Sequence, residues 1–303
     1  MSFQKQVQIQ HLQYPIVKQF YLVFFLIALE MLLIKKSYTT WKHGQLHCRG
    51  VFPSNPSKPP VVCLHMSPKS GRSYHEILPY LSNKERVVIA PDYPGHGESS
   101  LPPSDPHVTI EDFSEAIWCV IDDLVGEAPL HLIGHHTGSM VSVEMTKQKT
   151  DRVLSLINIA APLFTDEELA QFCNMFKPIP IDEEGNRFRI MWERIMFHRG
   201  PGMTLQMCAD SMAENLRAGD DYEWGHEAAF AYAKEYISYL SKIEQPVFVM
   251  NVNDDTYEHT KRIDPILNNG ERIDYPQWGH GFLSAYPDKV AHEINKFHHK
   301  VEG

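Results

Sequence analysis

The chain has 303 residues, 43% hydrophobic and 22% charged, a balance that excludes a disordered chain, a collagen-like repeat and a multi-spanning membrane protein. A formal charge of -10 without a Lys/Arg-rich run argues against nucleic acid and leaves a small molecule as the expected partner. Five cysteines, an odd number with no CxxC pair, point to free thiols in a reducing compartment, the cytoplasm, and not to a disulfide framework or structural zinc.

Residues 20–34 read FYLVFFLIALEMLLI, apolar apart from Glu30, with Lys18 before them and Lys35 and Lys36 after. As a helix they reach about 22 Å, short of the roughly 30 Å hydrocarbon core of a bilayer. No small-residue cleavage site follows, which disfavours a cleaved signal peptide. The segment falls in an N-terminal extension (1–36) and offers a route to membrane association, competing with a helix packed on the body of the fold.

From Ser37 strand and helix patterns alternate. SYTTW and QLHCRGVF flank the turn Lys42 to Gly44 and read as an opening hairpin. Short apolar runs follow at PVVCLH (60–65), RVVIAP (86–91), LHLIG (130–134), VLSLINIA (153–160) and QPVFVMN (245–251), with ERIDY (271–275) weaker. Runs of this kind, bounded by turns and separated by helix-length stretches, are buried parallel strands. Thr109 to Asp112 forms a capping-box signature ahead of FSEAIWCVIDDLV, and Pro287 opens the last helix. The expected fold class is α/β, a doubly wound, mostly parallel sheet. Residues 163–240 carry helical patterns without strand-like runs and read as a helical insertion between the core segments 37–162 and 241–303.

Chemistry concentrates where the LHLIG strand ends. There the chain continues as Gly134-His135-His136-Thr137-Gly138 and then a helical pattern. Strand, tight G-x-X-x-G turn and helix make a nucleophile elbow, which presents its central side chain above the sheet. The central residue here is His136, where Ser, Asp or Cys is usual.

His65-Met66-Ser67-Pro68 is similar to the His-Gly-x-Pro turn of epoxide hydrolases and haloalkane dehalogenases, with Met66 for Gly. Asp92-Tyr-Pro-Gly-His-Gly-Glu-Ser99 resembles the Asp-x-x-Gly-x-Gly-x-Ser turn after the next strand. Asn253-Asp254-Asp255 lies where the acid belongs, and Trp278-Gly279-His280 matches the catalytic-histidine turn. From Ser37 to its end the chain thus resembles the α/β-hydrolase superfamily, in the order elbow, acid, His. The resemblance implies an α/β-hydrolase fold with a helical lid (cap) at 163–240 and no cofactor. His280 would be general base, oriented by Asp254; Asp255 is the competing acid, ranked second because Asn251 takes the Gly position three residues before the acid in relatives. Backbone amides of Ser67 and Thr137 would form the oxyanion hole.

Three readings of His136 stay open. It acts as nucleophile, or polarises a substrate attacked by water that His280 and Asp254 activate. Alternatively His136, His280 and Asp254 hold a metal. In the third, loss of Ser ends catalysis and the fold binds a ligand or partner as a pseudo-hydrolase. The expected activity is hydrolysis of a small apolar ester, thioester or carbon–carbon bond next to a carbonyl, with a lyase or cofactor-free oxygenase as alternative chemistry. Thr137 is a nucleophile only if the elbow register shifts by one. Ser139, His65, His135 and His96 read as structural, and Trp192, His198, Tyr222, Trp224 and His226 as residues of the lid interior.

Overall fold

The computed structural model describes residues 33–303, so the apolar segment 20–34 lies almost wholly outside the described residues. Strands β1 (Lys35–Trp41) and β2 (Gly44–Val51) form the hairpin, with Trp41 opposite Gly44. They continue into β3 (Val61–Leu64), β4 (Val88–Pro91), β5 (Leu130–His135), β6 (Val153–Ile159), β7 (Val247–Val252) and β8 (Gly270–Tyr275). All eight join one sheet in the order β1-β2-β4-β3-β5-β6-β7-β8; β2 pairs antiparallel with both β1 and β4, and the remaining pairs are parallel. β3, β4, β5 and β7 are buried along their whole length, as expected of parallel strands covered on both faces. At the edge, β8 (GERIDY) is mostly exposed, and its charges discourage pairing with another sheet.

Helices α1 (Leu78–Ser82), α2 (Ile110–Leu124) and α3 (Thr137–Gln148) follow β3, β4 and β5. The capping box of α2 is formed in both directions: Asp112 N–H donates to Thr109 Oγ1 at 3.3 Å, and Thr109 N–H to Asp112 Oδ2 at 3.1 Å. Between β6 and β7 lie α4 (Asp166–Met175), α5 (Asn186–Phe197), α6 (Leu205–Arg217) and α7 (Trp224–Leu240), with no strand among them. After β7 come α8 (Tyr257–Thr260), α9 (Phe282–Ala285) and α10 (Pro287–Glu302).

Side chains alternate across β5, so Leu130 and Leu132 join the cluster under α2, α3 and α7, while Ile133 joins the opposite cluster under α1 and α10. Tyr232, Tyr236 and Leu240 of α7 belong to the first cluster, and Tyr232 Oη donates to the buried Glu144 of α3 at 2.6 Å. This helix is therefore continuous with the body, whereas α4 has no buried residue. From β3 the chain steps to β4 on one side and β5 on the other, a topological switch point. Crevices for ligands open beyond the carboxyl ends of strands at such points, which is where residues 65–68 and 136 lie.

Candidate active site

β5 passes into α3 through His136, whose φ of 50° and ψ of -113° lie outside the regions that non-glycine residues favour. Such a conformation costs on the order of 1–3 kcal/mol and survives only where its surroundings dictate it. The backbone supplies that constraint: His136 N–H donates to Ile159 O at 3.0 Å, and Ser139 N–H to His136 O at 2.8 Å. Glycine is required at both flanks. A Cβ on Gly134 would lie 2.2 Å from the Gly138 carbonyl oxygen, and one on Gly138 would lie 2.1 Å from that of Leu64.

The elbow aims His136 at the loop after β7, where its Nε2 meets Asp254 Oδ2 at 2.8 Å. Asp254 is saturated by that contact, because its Oδ1 accepts from both the amide and the hydroxyl of Thr256 at 2.8 Å. His280, on the turn after β8, instead meets Asp255 through Nε2 to Oδ1 at 2.7 Å. The expected pairing of His280 with Asp254 is thus replaced. An imidazole at the elbow reaches further than a hydroxyl and takes the first carboxylate, leaving its neighbour for His280. The two rings stand 6.0 Å apart, so two imidazole–carboxylate pairs face each other.

Electrostatics reinforce this arrangement. Burial opposes a charge on His136, yet the adjacent Asp254 and Asp255 carboxylates outweigh it and raise its pKa above the ordinary histidine value. Asp255 is only partly desolvated, which opposes its ionisation, but the His280 hydrogen bond and nearby imidazoles hold its pKa well below the usual carboxylate range. With each Nε2 engaged by a carboxylate, Nδ1 is the ring nitrogen left for chemistry in both pairs.

Ser67 and Thr137 flank the pairs from the turn after β3 and the start of α3, and both line the same cavity. Thr137 opens α3, so its N–H is among those a helix cannot satisfy internally, at the positive end of the helix dipole. His65 braces the turn: its Nε2 accepts from Tyr93 N–H at 3.0 Å, so Nδ1 carries the proton and donates to Met66 O at 2.9 Å. Burial lowers its pKa to about 3 and fixes it neutral. Ser139 donates back to Gly134 O at 3.1 Å, which is a packing role. One contact had no signal in the sequence. Partly buried Lys69 Nζ donates to Ser211 O at 2.9 Å and to Asn215 Oδ1 at 2.5 Å, latching α6 onto the turn that carries Ser67. Burial lowers the Lys69 pKa to about 8.

The cavity over these groups measures about 390 Å³ and is walled by Phe164, Phe172, Phe176, Phe230, Met140 and Met191. A second cavity of about 290 Å³ adjoins it across Met66, Met203 and His280, and reaches His135. Metal-ligand combinations fall into two groups among the described residues: His135, His136 and Asp254, and His198, Asp255 and His280. Within each, one donor atom per residue lies within 4.8 Å of the others. The combination of His136, His280 and Asp254 is not among them.

A family model described as the alpha/beta hydrolase fold matches residues 59–284. The chain belongs to this family. It is 32% identical over 226 residues to a proline iminopeptidase of Lactobacillus helveticus, spanning 65% of this chain and 74% of that protein. Epoxide hydrolase 2 of Siraitia grosvenorii is 28% identical over 127 residues, 42% of this chain and 40% of that one. The fold is shared with a thermophilic esterase of Thermogutta terrifontis at a TM-score of 0.68 and 19% identity, covering 89% of this chain and all of that one. Among these relatives the chain stands as a hydrolase of the α/β-hydrolase fold. No helix among the described residues is long and apolar enough to cross a membrane.

Proposed function

We propose that the protein hydrolyses a small, largely apolar ester or thioester by direct attack of water, with no acyl group on the enzyme. The observation that carries this reading is the pair of imidazole–carboxylate couples facing each other at 6.0 Å under an aromatic cavity. Water between the rings gives a proton to His280 Nδ1, while Asp255 holds the ring and balances its charge. Its oxygen bonds to the carbonyl carbon, and the developing oxyanion meets the Ser67 and Thr137 amides and the His136 imidazolium, which Asp254 sustains. Collapse breaks the bond to the leaving group, and His280 returns the proton to it.

Retention of the strained elbow together with two engaged imidazole–carboxylate pairs favours an enzyme, because strain that costs stability persists at functional sites. The phenylalanine and methionine wall selects an apolar acyl or alcohol group. The helices α4 to α6 serve as the lid over that group. Steady-state assays with aryl esters and acyl thioesters, run beside a serine-directed fluorophosphonate probe, test this. Turnover without labelling is expected. Labelling would make a hydroxyl the nucleophile, and inertness across the panel would remove the hydrolase reading.

A further inference from the structure

We propose that His135, His136 and Asp254 hold a divalent transition-metal ion, zinc in type, at the elbow where the nucleophile hydroxyl is missing. Two imidazoles and one carboxylate are a standard ligand set for such ions, and an open fourth position is what a catalytic site retains. Their donor atoms already lie within 4.8 Å of one another. Metal–ligand bonds of about 2.1 Å in a tetrahedron need donors roughly 3.4 Å apart, so small ring rotations suffice. His136 Nε2 and Asp254 Oδ2, now 2.8 Å apart, need only exchange their shared proton for the metal.

A second observation points to the same place. His135 is 5% exposed, and its Nε2 is buried without a hydrogen-bond partner. A buried polar atom without a partner is destabilising, and a ligand at this position would give it one. The group His198, Asp255 and His280 has a weaker case: two of its members are exposed, and the Asp255–His280 pair is already engaged as base.

The inference rests on the hydrolytic reading and specifies what holds the water; with the ion bound, His136 is a neutral ligand and the ion takes the place of its imidazolium in facing the oxyanion. A metal-bound water has its pKa lowered to about 7. It passes a proton to His280, its oxygen bonds to the carbonyl carbon, the carbon–heteroatom bond breaks, and His280 protonates the leaving group. The metal neither gains nor loses electrons.

The test strips the full-length protein with a chelator and adds cobalt(II) or zinc. Expected are one ion per chain, a visible cobalt absorption band of a histidine–carboxylate site, and faster aryl-ester hydrolysis. Either His135→Ala or Asp254→Asn, checked for native circular dichroism, should weaken binding by at least about tenfold, and His198→Ala should leave it intact. If His135→Ala fails to fold, Asp254→Asn carries the comparison. Binding that survives in Asp254→Asn, that depends on His198, or that does not occur overturns the site. Stoichiometric His135-dependent binding without ester hydrolysis would instead retire the hydrolytic reading and leave the metal site standing.

Discussion

Gly138→Ala sets two effects of opposite sign against each other. Gly138 lies in the first turn of α3, where alanine is favoured over glycine by about 1 kcal/mol. Its Cβ, however, would sit 2.1 Å from the Leu64 carbonyl oxygen and 3.1 Å from that of His65, both backbone atoms that cannot rotate away. Restoring ordinary contact means moving α3 off the end of β3 by about 1.3 Å, an overpacking cost of about 1–3 kcal/mol that exceeds the propensity gain. At about 2–4 °C per kcal/mol, Tm should fall by a few degrees. The displacement also separates Thr137 from Ser67, and misplacement on this scale costs on the order of 100-fold in rate. Scanning calorimetry and aryl-ester kcat on the purified variant read both. A variant as stable as the parent or more so, with full activity, would refute the close seating of the elbow on β3.

Asp255→Asn should lower kcat by up to about 10⁴-fold, the loss when the carboxylate that orients a catalytic histidine becomes an amide; wild-type activity would mean that His280 works with Asp254 after all. Lys69→Met should release α6 from the Ser67 turn, raising KM more than it lowers kcat, as measured in ester titrations; an unchanged KM would remove the latch. Stability should fall with acid. Burial lowers the pKa of His65 to about 3, and that of His96 and His131 to about 4, against about 6.5 when unfolded, so the unfolded chain binds more protons across this window. Their contribution is complete above pH 6.5 and drains as pH falls towards 4, by about 2 kcal/mol each at pH 5. Urea midpoints at pH 7 and pH 5 check this, and equal midpoints would contradict it.

The central strands were readable because they are buried on both faces and stand as unbroken apolar runs between turns. The elbow was readable for a different reason: a Cβ on either of its two glycines would fall 2.1 or 2.2 Å from a backbone oxygen, and that requirement leaves a spacing in the sequence. Pairing was not readable. Asp254 and Asp255 are adjacent and chemically identical, and the choice between them depends on how far the His136 ring reaches. His135 reads as one more strand residue, and only the fold reveals that its Nε2 is buried and unpaired. Lys69 looks like a surface lysine until α6 closes over it. In α7 the alternation of Ala and Tyr fits a lid as well as a core, and the Tyr232–Glu144 bond shows on which side it packs.

The most direct measurement is the hydrolysis of a p-nitrophenyl ester series by the wild-type protein and by His280→Ala at neutral pH. Turnover by the wild type, with a loss of about 10²–10⁴-fold in kcat in the variant and an unchanged fold, is the expected result. Equal rates for the two proteins would contradict the role of His280 as the base that activates water.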